Sequence, residues 1–117
     1  MTPSQAVHAV LRAWEEADPD AIAVLFDEVG IFDDPLQAER RIGPGAIRAA
    51  CAAGIAAIRN CRIPIRHLVE CGNLAFAEGE FLSELADTGG RFDSPFALVL
   101  EIKDGSAGSP SISIRTR

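Results

Sequence analysis

Hydrophobic residues recur at helical spacing through the first part of the chain. Thr2 and Gln5 form a capping box with Pro3 at the first helical position, a pattern that predicts the start of a helix. The apolar residues that follow share one helical face as far as about Ala17: Val7, Val10, Leu11 and Trp14. Asp18, followed by a proline, then predicts the N-cap of a second, short helix with the apolar residues Ile22, Leu25 and Phe26.

A short strand and a third helix are predicted next. Val29–Phe32 is β-branched or aromatic, and the residue before a proline is held extended, so the strand should end at Asp34. Residues 36–42 are polar and predict a loop. Gly43 and the proline after it begin a helix that is rich in alanine, Ala50 among them, with an apolar face of Ile47, Cys51, Ile55 and Ile58. Such small residues either allow a close approach to a sheet or leave room beside the helix.

After Asn60 the period of the apolar residues changes from helical to alternating, which predicts four strands separated by turns. They are Ile63–Cys71, Leu74–Leu85, Phe92–Ile102 and Ser111–Arg117. Helices first and strands later predict an α+β fold, in which three N-terminal helices cover one face of a curved, mostly antiparallel sheet. With no internal repeat or linker, residues 1–117 are interpreted as a single domain.

Composition narrows the function classes. A chain of 117 residues with 48% apolar residues can bury one core, and this excludes intrinsic disorder. The net charge of -6 disfavours a nucleic-acid partner, because the arginines are scattered rather than gathered in a stripe. The first residues do not resemble a signal peptide, and no apolar run has the length of a membrane span, so we expect a cytoplasmic protein with no membrane partner.

The cysteines do not predict a metal or disulfide framework. Cys51, Cys61 and Cys71 are odd in number and widely spaced, without a CxxC pair or neighbouring histidines. We therefore expect reduced, structural thiols and no metal site.

The first half of the chain carries a set of motifs that resembles the ketosteroid isomerase and SnoaL-like polyketide cyclase group of the nuclear-transport-factor-2-like superfamily. The motifs are Ala17-Asp18-Pro19-Asp20, Leu25-Phe26, Phe32-Asp33-Asp34-Pro35, Arg41, Gly43 and Ala46-Ile47-Arg48. The strand half is similar in pattern only, with Phe76, Pro95 and Arg115 as anchors. The resemblance implies a cone-shaped, cystatin-like α+β domain with a pocket for a small molecule, no cofactor, and a homodimer.

The resemblance also implies roles for particular positions. The isomerases use one Asp as the base that takes a proton from carbon, while a Tyr and a protonated Asp donate hydrogen bonds to the developing oxyanion. The base falls on Asp34, the Tyr on Val10 and the donor Asp near Ala97, and the chain contains no tyrosine. Each missing donor is worth about 3–4 kcal/mol in comparable sites, so efficient steroid isomerisation is not expected.

Other polar residues could complete such a site. Trp14 lies one helical turn after Val10, where its indole N–H could donate into a cavity, or it could be a core aromatic. Glu78 and Glu80 share one strand face with Phe76, and that face could meet either the pocket or the solvent. In the first case burial near Asp34 would raise a carboxyl pKa. The predicted pocket comprises Val10, Trp14, Ala50, Phe76, Glu78, Ala97 and Ile114, with Asp34 and Glu80 as catalytic candidates.

Two functions follow from this pattern. In the first, Asp34 is the general base and Glu80 the acid partner, acting on a small apolar carbonyl compound by isomerisation, cyclisation or a lyase reaction. In the second, the chain is a non-catalytic ligand-binding or dimerisation module of the same fold.

Overall fold

The structure is a computed structural model that describes residues 1–34, 40–104 and 110–116. Its first helix begins at the predicted capping box. The Thr2 hydroxyl accepts a hydrogen bond from the Gln5 amide (3.1 Å), and the Gln5 side chain accepts one from the Thr2 amide (2.8 Å), which starts α1 (Pro3–Glu15). Asp18 caps the single-turn helix α2 (Pro19–Ala23) by accepting from the Ala21 amide. These local signals placed both helix starts correctly.

The third helix, α3 (Pro44–Ala56), follows Gly43, whose φ of +85° is costly for a residue with a side chain. The helix ends two residues before Ile58, which the periodicity had assigned to its apolar face. Ile58 instead begins a strand, because the Ala57 carbonyl turns away to accept a hydrogen bond from the Ala86 amide (2.9 Å).

Seven strands form one curled sheet in the described part of the chain. They are β1 (Ile31–Asp33), β2 (Arg41–Ile42), β3 (Ile58–Arg62), β4 (Ile65–Cys71), β5 (Leu74–Leu85), β6 (Arg91–Asp104) and β7 (Pro110–Thr116). The order is β2-β1-β7-β6-β5-β3, and β4 also pairs with β5. The β1–β7 pair is parallel, and the other pairs are antiparallel. The α+β class predicted from the sequence is confirmed.

The predicted strand Ile63–Cys71 is wrong at its start, because two strands meet there. β3 ends at Arg62 and β4 begins at Ile65, and the carbonyl of Pro64 between them accepts a hydrogen bond from the Glu80 amide (3.1 Å). Proline cannot donate to a sheet ladder, so the chain bends where the sequence pattern alone looked continuous. Arg41–Ile42 is likewise a short strand rather than the predicted loop.

The core lies between the inner face of the sheet and the helices. Small and branched residues of the inner face are buried: Ala75, Ala77, Leu98, Leu100, Ile112 and Ile114. From the helical layer they meet Ala6, Val7, Val10, Ile47 and Cys51. This alternation of buried and exposed positions along β5 and β6 decides which residues of the predicted site face the helices and which face outwards.

Gly54 interrupts the alanine run of α3 at the point where Trp14 of α1 crosses it. A Cβ atom at position 54 would lie 3.0 Å from Cη2 of the indole. Gly45, at the start of the same helix, has no atom within 4 Å of the corresponding position. The glycine at 54, which costs a helix interior about 1 kcal/mol relative to alanine, is therefore explained by the tryptophan against it.

Alanine at these two positions should have different effects on stability. Gly45→Ala should raise the free energy of unfolding by up to about 1 kcal/mol, because it restricts the unfolded chain without a clash. Gly54→Ala should not show this gain, because the indole must move. Its free energy of unfolding should be lower than that of Gly45→Ala by about 1 kcal/mol or more. Urea unfolding followed by Trp14 fluorescence measures both variants, and equal stabilisation would contradict the packing described for Gly54.

Candidate functional site

Two neighbouring carboxylates lie at the end of β1. Asp33 is on the outer face, where its Oδ2 lies 3.7 Å from Arg40 and 3.6 Å from Arg115. Asp34, the residue after the strand, is half-buried, and its charge acts on the thiol of Cys51 on α3. That the two side chains point to opposite faces stays a prediction. Pro35 and residues 36–39 lie outside the described residues.

Several residues near the predicted pocket belong to the buried core or lie at its edge. Cys51 is buried, and burial raises the pKa of its thiol to about 11, with the negative charge of Asp34 as a second cause. Val10 and Ile114, both predicted for the pocket, are fully buried members of the same core. Ala50 is half-buried on α3, one residue before Cys51.

A row of aromatic rings runs from the core towards the surface on the same side of the sheet. Trp14 is partly buried, and its ring meets Phe81 edge-on at a centroid distance of 6.4 Å. Phe81 meets the exposed Phe92 in the same way, also at 6.4 Å. The sequence interpretation missed Phe81, which occupies the alternate face of β5 from Phe76, because either phenylalanine suits a buried position.

Four predicted site residues do not lie in the cone: Phe76, Glu78, Glu80 and Ala97. Phe76 is 47% exposed on the outer face, and Ala97 pairs with Glu78 across β5 and β6. The neighbouring positions of β5 on the inner face are Ala75, Ala77 and Gly79. These residues are small, so the helices and the adjacent chain can pack closely against the strand. A Cβ atom at Gly79 would lie 2.1 Å from the carbonyl oxygen of Pro64, so only glycine fits there.

The two glutamates are held in ion pairs on this outer face. Glu78 Oε1 lies 2.5 Å from Nδ1 of His67, and Glu80 Oε1 accepts from Arg66 at 2.6 Å. The hydrogen bond from His67 lowers the pKa of Glu78, which is the opposite of the rise that burial beside Asp34 would produce. Of the two alternatives for this strand face, the pocket-facing one, with Glu80 as a catalytic candidate and Glu78 in the pocket, is therefore wrong, and the solvent-facing one agrees with the structure. His67 belongs to the same surface.

An open, mostly apolar depression of about 250 Å³ lies on the outer face between β4, β5 and β6. The depression is lined by Val69, Phe76, Ala97 and Val99, and His67 and Glu78 lie at its border. Together with Arg66 and Glu80, these residues form what we call the outer patch.

The thiols, metal ligands and helices of the described residues add three findings. Cys51 and Cys61 are buried free thiols, and Cys71 is an exposed one. No group of three or more potential metal ligands occurs within 1–34, 40–104 and 110–116. In those same ranges, every helix is too short or too polar to cross a bilayer.

The SnoaL-like domain family matches residues 7–107, and the chain belongs to that family. No curated protein matches the sequence.

Solved structures share the fold at low sequence identity. A hypothetical protein with a ketosteroid isomerase-like fold from Catenulispora acidiphila, in complex with trimethylamine, is 22% identical with a TM-score of 0.81, covering 100% of this chain and 86% of that one. A cystatin-fold protein from Novosphingobium aromaticivorans is 16% identical, with a TM-score of 0.74 and coverages of 100% and 98%. A nuclear transport factor 2-like protein from Salmonella enterica is 15% identical, with a TM-score of 0.75 and coverages of 97% and 85%.

Stability should fall at alkaline pH because of the buried thiols. The folded pKa values of Cys51 and Cys61 are both raised to about 11, so the unfolded thiols ionise first. The stabilisation is complete below the unfolded pKa, near 9, and is lost as the pH rises towards 11. Urea unfolding measured at both pH values should show that the free energy of unfolding falls less in Cys51→Ala than in the protein with all three cysteines.

Two further variants control this experiment. Cys71→Ala removes an exposed thiol and should keep the full pH-dependent loss. Asp34→Asn should reduce the loss, because its charge contributes to the raised pKa of Cys51. Identical pH profiles for Cys51→Ala and Cys71→Ala would contradict the assignment.

Proposed function

We propose that this SnoaL-like protein binds a small, largely apolar carbonyl compound in its cone and that Asp34 acts there as a general base. The observation that carries the proposal is the position of Asp34 directly after β1, where its charge acts on the buried thiol of Cys51 on α3. The neighbouring Asp33 instead lies within 3.7 Å of Arg40 and Arg115. A positioned carboxylate can take a proton from carbon as a general base.

The chemistry available to Asp34 is limited by what surrounds it. Val10 replaces the tyrosine of the isomerases, and the inner positions next to Ala97 are Phe96 and Leu98, which donate no hydrogen bond from their side chains. An oxyanion donor contributes about 3–4 kcal/mol, so its loss slows a reaction by roughly 10²–10³-fold. The substrates that fit the proposal therefore have C–H groups that are already acidic, such as β,γ-unsaturated ketones.

A non-catalytic ligand-binding role is the second candidate. The Catenulispora protein with a ketosteroid isomerase-like fold was solved in complex with trimethylamine, a small amine that is cationic when protonated. In the present chain, Asp34 would serve as the counter-ion of such a ligand, and the ring of Trp14 would offer a cation–π surface. This role needs no oxyanion donor.

Isomerisation of 3-cyclohexenone tests the proposed function. Asp34 would remove a proton from carbon 2 and return it to carbon 4, giving the conjugated ketone, which is followed by its ultraviolet absorbance. Asp34→Asn should reduce the rate by about 100-fold or more, since general-base catalysis contributes 10²–10⁴-fold. Asp33→Asn is the matched control, because it removes the adjacent carboxylate, which is paired with Arg40 and Arg115, and should keep the rate.

The outcomes separate the two candidates. Background rates in both the unsubstituted protein and Asp34→Asn would rule out the isomerase. Trimethylammonium binding, measured by NMR in the same two proteins, would then support the counter-ion role if only Asp34→Asn loses it. The cytoplasmic location and the lack of a nucleic-acid or membrane partner stay predictions from composition.

We also propose that the outer patch joins two copies of this chain. Its centre is apolar, with Val69 and Phe76 both about half exposed, and the charged residues beside it are ion-paired within the chain, Arg66 with Glu80 and His67 with Glu78. A two-fold contact can therefore bury the apolar centre of both copies while those charges keep their partners at the rim. This arrangement supports the homodimer that the family resemblance implies.

A charge placed at the centre of the outer patch should separate the copies. Sedimentation equilibrium should give about twice the 12.4 kDa chain mass for the unsubstituted protein and about one chain mass for Phe76→Asp. Val24→Asp is the matched control, since Val24 on the helical side is 79% exposed and lies away from the patch. A dimer that survives Phe76→Asp would contradict this interface.

A further inference from the structure

Strand β4 carries a bulge that turns two consecutive basic residues towards the outer patch. Ile65 pairs with Gly79 of β5. His67 pairs with Glu78, the adjacent residue of β5, so β4 advances by two residues where β5 advances by one. Arg66 is the extra residue of this bulge. Neighbouring side chains of a regular strand point to opposite faces, but here both Arg66 and His67 contact glutamates of β5.

The contacts join four charged side chains into one cluster. Arg66 donates a hydrogen bond to Glu80 through Nη2 at 2.6 Å, and its Nη1 lies 3.9 Å from Oε1 of Glu78. The same Oε1 atom lies 2.5 Å from Nδ1 of His67. The hydrogen bond from His67 lowers the pKa of Glu78, so this carboxylate is ionised near neutral pH.

Protonation of His67 decides whether the cluster is neutral. When His67 is protonated, the two positive charges on β4 equal the two negative charges of Glu78 and Glu80 on β5. When His67 is neutral, one negative charge is left over on each copy of the chain. Histidine is the side chain whose charge ordinarily changes between about pH 5 and 8.

The charged groups around the cluster have partners of their own. On β4, the carboxylate of Glu70 accepts a hydrogen bond from the Ser4 amide at the start of α1. On β6, the depression is lined by the apolar residues Ala97 and Val99. The charges further along β6 and β7 are also paired: Glu101 with Lys103, and Arg115 with Asp33. The pH-dependent charge at the outer patch is therefore that of His67.

We infer that His67 makes the pairing of two copies through the outer patch sensitive to pH, with the dimer favoured when His67 is protonated. The inference rests on the homodimer proposed above and specifies how that interface is regulated. His67 and Glu78 border the depression at the centre of the patch, so their net charge lies at the rim of the contact. Two neutral clusters meet there without repulsion, whereas two negative clusters repel each other. Pairing therefore takes up protons and weakens as the pH rises.

Sedimentation equilibrium at about pH 5.5 and about pH 7.5, at the same low ionic strength, tests the inference. The dissociation constant of the dimer should be about fivefold or more higher at the upper pH, a size typical of coupling between two binding events. His67→Gln should remove this difference, because glutamine does not titrate.

His8→Gln is the matched control, since His8 is the other of the two histidines in the chain. It is exposed on α1 and borders the depression along α1 and α2, away from the outer patch. This variant removes an equal change in net charge from the protein, so it should keep the pH dependence if the position of His67 is what matters.

Glu78→Gln should invert the pH dependence, which a purely structural role for these residues does not predict. Without the Glu78 carboxylate, the cluster is neutral when His67 is neutral and carries one positive charge when His67 is protonated. The dissociation constant should then be higher at the lower pH. A dependence in the original direction would contradict the inference.

The interface and its regulation are tested separately. If Phe76→Asp separates the copies but the unsubstituted dimer has the same dissociation constant at both pH values, the interface stands and the inference is overturned. A dimer that survives Phe76→Asp, or a single chain mass at both pH values, overturns the interface and the inference together. Loss of the pH dependence in His8→Gln rather than in His67→Gln overturns the inference alone.

Discussion

The close contact between Gly79 of β5 and the carbonyl of Pro64 is the constraint on which the rest of the sheet depends. No side chain fits at position 79, and the Glu80 amide donates to that same carbonyl. Together these contacts fix the register of β5 against the bend between β3 and β4. Because side chains alternate along a strand, this register places Phe81 on the inner face of the sheet and Glu80 on the outer face.

The sequence was informative wherever the signal is local. The capping box at Thr2 and the N-cap at Asp18 each depend on a few adjacent residues, and both are confirmed. The face of β5 could not be read in this way. Ala75 and Phe76 both suit a buried position, and the choice depends on how closely α1 approaches the strand, which is a property of distant parts of the chain.

The two faces of the sheet divide the charges of the site. On the outer face, Glu80 is paired with Arg66 and Asp33 with Arg115, and the charge of Asp34 adds to the burial that raises the pKa of the Cys51 thiol. The similarity to the ketosteroid isomerase-like structure is one of fold, and Val10 and Leu98 are buried residues whose side chains donate no hydrogen bond.

The parallel pairing of β1 with β7 joins segments that are more than 80 residues apart, with Phe32 opposite Ile114. The bond from the Ser111 hydroxyl to Asp27 connects the same two segments. Because β7 follows β1 by so many residues, β1 can complete its parallel pairing only after the intervening strands have been synthesised. Until then the edge of β1 that faces β7 is unpaired, and an unpaired strand edge favours aggregation.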